Sequence, residues 1–210
     1  MIASPATLAA MKILSAEFEI SAATLGTCPR WQLPEFAFIG RSNVGKSSLI
    51  NLLTERRALA MASSTPGKTK LINFFRVNKN WALVDLPGYG YAKVATQDKH
   101  EFNKAVAEYI EKRPNLATVF VLIDSRLEPQ RIDLDFLRWL TGRDVDFALV
   151  FTKTDKQSDT KTQAAVDAFF AAAVEFLPEP APPLFACSSV SKDGRKDILA
   201  HIASVLAAPR

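Results

Sequence analysis

Eight consecutive residues carry the first chemistry in this chain: Gly40, Arg41, Ser42, Asn43, Val44, Gly45, Lys46 and Ser47. They match G-x-x-x-x-G-K-[ST] without a mismatch, between a short apolar run and a stretch with helical period. Glycine lets a backbone wrap closely around an anion. Successive N–H groups, here those from Asn43 to Ser48, and a helix N-terminus then present positive potential to phosphate oxygens. In such a loop Lys46 reaches the β- and γ-phosphates of a nucleotide and the Ser47 hydroxyl ligates Mg²⁺. A chance match somewhere in 210 residues has a probability on the order of 1% at ordinary glycine frequency, so nucleotide binding is the expectation.

Three further stretches can complete such a site. Asp85-Leu86-Pro87-Gly88 follows the apolar run Trp81-Ala82-Leu83-Val84 and has the D-x-x-G arrangement. Asp85 can hold Mg²⁺ through water, and the Gly88 N–H can reach a γ-phosphate. Alone, this run could be an ordinary Pro-Gly turn. Thr152-Lys153-Thr154-Asp155 is a variant of N-K-x-D. Guanine offers two adjacent donors, N1–H and N2–H₂, and the Asp155 carboxylate can accept both. Adenine offers no such pair. The Lys153 stem can lie along the base. Cys187-Ser188-Ser189 can bring a backbone N–H to the guanine O6, with Cys187 as a small packing residue.

Alternating apolar strands and amphipathic helices must position these loops, which predicts an α/β fold with a mainly parallel sheet. Strands are expected at Phe36–Ile39, Leu71–Val77, Trp81–Asp85, Ala117–Ile123, Phe147–Phe151 and Leu184–Ala186. Asn78-Lys79-Asn80 reads as a hairpin turn. Helices are expected at Lys46–Leu53, Gln97–Arg113, Ile132–Leu140 (ended by Gly142), Thr162–Leu177 and Asp193–Leu206 (capped by Asp193). Glu55 to Lys70 reads as an exposed loop, and residues 178–183, with four prolines, as a rigid linker. Residues 1–30 form an N-terminal extension that adds an edge strand near Ile13–Phe18, and residues 31–210 form the nucleotide domain. His100 and His201 are expected at the surface, and Trp31, Trp81 and Trp139 in packing.

The order of these motifs resembles the TrmE–Era–EngA–EngB–septin-like GTPases. Three stretches resemble the EngB (YihA/YsxC-type) family in particular: Gly40 to Asn51, Thr65 to Phe75, and Val84-Asp85-Leu86-Pro87-Gly88-Tyr89-Gly90-Tyr91-Ala92. The resemblance covers nearly the whole chain from about Lys12. It implies a P-loop NTPase fold of the Ras-like G-domain type, with helices on both faces of the sheet. It also implies GTP hydrolysis in a switch that assists assembly of the large ribosomal subunit and normal division and septation. Gly67, Lys68, Thr69, Lys70 and Leu71 are the implied first-switch contacts, with Thr69 closing on Mg²⁺ and Thr65 as a fallback. Lys46, Thr69 and Gly88 are the implied catalytic groups, and Ser47, Thr69 and Asp85 the implied metal set. A Ras-type enzyme places a water-orienting Gln after D-x-x-G. This chain has Tyr89, which implies slow intrinsic hydrolysis hastened by a partner. In some relatives an Asn at the place of Asn43 helps coordinate K⁺.

Charge and cysteine content bound the partners. From Gly40 to Arg76 there are seven basic residues against one acid, a net of +6. The whole chain carries +4, and the rest therefore −2. The excess in Arg56, Arg57, Lys68 and Lys70 fits rRNA phosphate as well as a plain solvated loop. Two cysteines make no disulfide framework and fit a reducing compartment. No run approaches the ~18 apolar residues of a membrane helix, and the N-terminus lacks the charge pattern of a secretory signal. A cytoplasmic monomer is the simplest expectation. Two other readings stay open: a septum-associated GTPase scaffold without RNA contact, and a P-loop kinase or ATPase, against which Asp155 argues.

Overall fold

The structure is a computed structural model that describes residues 11–60, 71–89 and 104–208. Among the described residues, seven strands form one mixed sheet: β1 (Ala16–Ala22), β2 (Glu35–Gly40), β3 (Ile72–Val77), β4 (Trp81–Asp85), β5 (Leu116–Asp124), β6 (Phe147–Thr152) and β7 (Leu184–Ala186). Their order is β1-β3-β4-β2-β5-β6-β7. From β4 to β7 every pair is parallel, while β1–β3 and β3–β4 are antiparallel. The helices are α1 (Lys46–Thr54), α2 (Lys104–Lys112), α3 (Arg131–Thr141), α4 (Asp159–Ala173) and α5 (Arg195–Ala207).

A parallel strand covered on both faces must be apolar on both, which is why β2 reads as an unbroken run. Its Phe36 and Phe38 enter one core with Leu49, Ile50 and Leu53 of α1 and Ile198, Leu199 and Ile202 of α5. Ala37 and Ile39 enter the other, with Tyr109 and Ile110 of α2, Phe136, Leu137 and Leu140 of α3, and Phe169 of α4. The helices thus lie on both faces of an α/β sheet, as expected. The hairpin also stands where the sequence placed it: Val77 pairs with Trp81, and Asn78 and Lys79 adopt the positive φ that a tight turn requires.

Several boundaries differ, each for a local reason. The edge strand begins at Ala16, because the Asn78 side chain holds the backbone at Lys12, Leu14 and Ser15 outside the ladder. Helix α4 begins at Asp159, because Ser158 caps it through the Lys161 N–H. Asp193 does not cap α5. Gly194 stands at that cap with φ 74°, and the Asp193 carboxylate accepts from Ser191 instead. Gly142 ends α3 at φ −80°, without a left-handed turn. His201 is not a surface residue: it lies half-buried against Phe120 and Phe185, and burial lowers its pKa. His100 and the first part of the helix expected from Gln97 fall outside the described residues.

Candidate functional site

The turns that leave β2, β4, β5, β6 and β7 at their C-terminal ends build one site. This is where parallel α/β sheets bind ligands, around a strand with neighbours of its own direction on both sides. Strand β2 is such a strand, between β4 and β5.

The phosphate loop leaves β2 through Gly40 and closes on α1. Gly45 stands at the helix cap with φ 108°, a conformation open to glycine, and no side chain caps the helix there. The Val44 side chain is buried in the core, while Ser42, Asn43 and Ser48 are exposed. The Gly45 carbonyl accepts the first helical bond, from the Leu49 N–H at 2.9 Å. Earlier N–H groups in a first turn have no carbonyl of their own helix to reach, and this leaves the turn suited to an anion.

Lys46 and Asp85 are ion-paired across the site. Both are largely buried, with side chains 14% and 8% exposed. A cation and a carboxylate so placed hold each other in register until a phosphate competes for the ammonium. After Asp85, Leu86 and Pro87 are buried and Gly88 is exposed. A Cβ on Gly88 would stand 2.7 Å from the Gly40 carbonyl oxygen, so only glycine brings this backbone against the phosphate loop.

The loop from Thr152 to Asp155 is tied to the phosphate loop by two side-chain bonds and to the end of β5 by a third. The Thr152 hydroxyl donates to the Val44 carbonyl at 2.6 Å. The Lys153 ammonium donates to the Asn43 carbonyl at 2.6 Å and to Asp124 at 2.8 Å. Lys153 itself has φ 62°, and Thr154–Lys156 forms a single helical turn after it. The Thr154 N–H donates to the Cys187 carbonyl at 3.3 Å, which joins this loop to the Cys187-Ser188-Ser189 segment. Ser188 is fully buried, and its hydroxyl donates to Asp155 at 2.7 Å. That bond, with Lys156 beside it, lowers the Asp155 pKa. Cys187 is buried and desolvation pushes its thiol up to about 12, which suits packing and not nucleophilic work.

Asp124 was missed by sequence reasoning. It ends β5, is 4% exposed, and receives Lys153 and a two-point contact from Arg126. Burial alone would raise its carboxyl; these hydrogen bonds outweigh it and bring the pKa to about 2. The usable signal was an acid closing a fully apolar strand. Leu71 is exposed at the margin of the site. Thr65, Gly67, Lys68, Thr69 and Lys70 lie outside the described residues. Among the described residues, no group of three or more His, Cys, Asp or Glu could hold a metal ion. One hydroxyl (Ser47) and one buried carboxylate (Asp85) instead fit Mg²⁺ bound mainly through nucleotide phosphates and water.

A P-loop α/β domain whose phosphate loop is bonded to a Lys-Thr-Asp loop is a guanine-nucleotide-binding domain. Residues 35–153 match the model of a family described as 50S ribosome-binding GTPase. Over 195 residues, 93% of this chain, it is 51% identical to a probable GTP-binding protein EngB of Phocaeicola vulgatus, of which 97% is covered. It is 49% identical to the probable EngB of Flavobacterium psychrophilum, with 93% and 95% covered. A crystal structure of a probable GTP-binding protein EngB superposes with a TM-score of 0.65 at 25% identity, covering 82% of this chain and 98% of that one. The chain belongs to the EngB family of GTP-binding proteins and is a GTPase.

Proposed function

We propose that this GTPase is a magnesium-dependent switch in large ribosomal subunit assembly, that it works in the cytoplasm as a monomer, and that normal cell division and septation depend on it. On nucleotide entry Lys46 leaves Asp85 for the β- and γ-phosphates. Ser47 and Thr69 would hold Mg²⁺ directly, with Asp85 supporting it through water. The chemistry such an ion would supply there is to offset charge developing on the transferring phosphate. The Gly88 N–H contacts the γ-phosphate, Asp155 holds guanine, and the Cys187–Ser189 backbone faces its O6. Loss of the γ-phosphate releases Thr69 and Gly88 together. A K⁺ ion beside Asn43 would make hydrolysis faster in K⁺ than in Na⁺.

The observation that carries the ribosomal part is the match to a family described as 50S ribosome-binding. The exposed Arg56 and Arg57, just past α1, support it as phosphate contacts. No helix among the described residues is long and apolar enough to cross a membrane, in keeping with cytoplasmic work. The test is depletion of the protein in growing cells, followed by sedimentation of the ribosomal subunits. Loss of the mature large subunit with a lighter precursor in its place is the expected result. A normal profile in cells that fail to septate would overturn the reading in favour of a scaffold at the septum.

A further inference from the structure

Tyr89 stands directly after Gly88, yet its side chain turns away from the phosphate loop into the core. The ring is 7% exposed and lies flat on Phe136 of α3, with centroids 4.5 Å apart and planes at 18°. Its hydroxyl is buried beside the Asp133 carboxylate but makes no well-formed hydrogen bond among the described residues. Asp133, in the first turn of the same helix, is 1% exposed. It receives Arg41 Nε on both oxygens at 3.0 Å. Arg41 is the second residue of the phosphate loop and pairs with Tyr89 in a parallel β-bridge. One helix therefore grips the phosphate loop through an ion pair and the segment just after Gly88 through an aromatic stack. Gly88 is held between the two grips, against the Gly40 carbonyl.

We propose that Tyr89 and Asp133 are positioning residues that fix the Gly88 N–H relative to the phosphate loop, and so set how well the protein distinguishes a nucleoside triphosphate from a diphosphate. A hydrogen bond to a phosphate oxygen tolerates a few tenths of an ångström around ~2.9 Å. Only the triphosphate carries the oxygen that Gly88 meets. The stack fixes the residue adjoining Gly88, and the Arg41–Asp133 pair fixes the loop from which the distance is measured. Loosening either grip changes the spacing of Gly88 from the loop, which costs the triphosphate its extra contact, whereas the diphosphate contacts come from the backbone of residues 43–48 and do not depend on that spacing. The inference rests on the switch reading above, in which Gly88 contacts the γ-phosphate.

The test is equilibrium binding of GDP and of a non-hydrolysable GTP analogue, with Mg²⁺, to the full chain and three variants. Y89L keeps apolar volume but loses the flat ring. Its analogue affinity should fall about tenfold or more, the scale of one charge-assisted hydrogen bond, while GDP affinity stays within about twofold. D133N keeps the shape and loses the charge that orients Arg41, and should shift the ratio in the same direction. Y89F keeps the stack and should restore the wild-type ratio, a rescue that a merely structural role does not require. Equal losses for both nucleotides, or an unchanged ratio in Y89L and D133N, overturn this inference and leave the switch reading intact. A wild-type protein that holds both nucleotides equally overturns both.

Discussion

The Asp155 carboxylate is oriented by one buried hydroxyl. Ser188 donates to Asp155 and accepts from the Val190 and Ser191 N–H groups at 3.0 and 3.1 Å. An S188A variant removes the donor and leaves two backbone N–H groups without their acceptor. Guanine-nucleotide affinity is expected to fall about tenfold, equivalent to about 1.4 kcal/mol, for GDP and GTP alike, as titration calorimetry would register. Equal affinity in S188A and wild type would show that the Asp155 geometry does not depend on Ser188. Asp124 works at the other end of the loop. Its carboxyl titrates at about 2 in the fold against 3.8 for the free group. A depressed carboxyl stabilises the fold above its unfolded pKa, and the contribution is lost as pH falls through the folded value. It amounts to about 2 kcal/mol near neutrality. D124N is therefore expected to unfold at lower urea than wild type at pH ~6, with the gap closing as the pH drops from about 4 towards 2. A gap of constant size across that range would exclude the ionised carboxylate as its source.

At the scale of elements, a second buried carboxylate ties the parts opposite the nucleotide. Glu35, fully buried at the start of β2, accepts from Trp31 Nε1 at 2.6 Å, from the Tyr109 hydroxyl at 2.7 Å and from Arg113 just past α2. Arg113 also reaches the Pro29 carbonyl. This network closes the N-terminal segment, β2 and α2 onto one another. Removing only the cation strands a buried charge, at a cost of about 3–5 kcal/mol, whereas removing both charges is far milder. R113M should therefore shift the urea midpoint strongly, and E35Q/R113M should recover much of the loss. A double variant as unstable as R113M would contradict that account. The contrast between these networks and the motifs explains what the sequence revealed. The phosphate loop, the β3–β4 hairpin and the Lys-Thr-Asp loop are written in neighbouring residues, where local backbone preference decides the outcome. The Lys153–Asp124 and Arg41–Asp133 pairs span 29 and 92 positions. Only the β2-β5-β6 strand order and the seating of α3 bring those partners together. The missing Asp193 cap is the same lesson at short range: Ser191 occupies the Asp193 carboxylate, and Gly194 takes the turn that α5 needs.

For the molecule as a whole, charge and site lie on related ground. The stretch from Gly40 to Arg76 carries +6 against −2 for the remainder. Not all of that charge is available to a partner. Lys46 is committed to Asp85, Arg41 to Asp133, and Arg76 is bridged to Glu19 at 3.3 Å. Arg56 and Arg57 are exposed, and among the described residues Arg56 Nη2 donates to the Leu14 carbonyl, at a long 3.3 Å. They sit on the turn that leaves α1, the helix whose first turn faces the phosphates. A bound RNA backbone there would feel the nucleotide state through one rigid element. Cationic contacts to RNA release counterions, so association weakens as salt rises, with a log–log slope of about −0.7 per phosphate neutralised on single strands. R56E/R57E is therefore expected to weaken co-sedimentation with large-subunit particles at low salt and to flatten its salt dependence by about 1.4 in that slope. GDP affinity should stay at the wild-type level, because both residues lie beyond the end of α1 opposite the phosphate loop. Particle binding with an unaltered salt slope would remove the electrostatic contact, and the net positive stretch would then be a solvated loop.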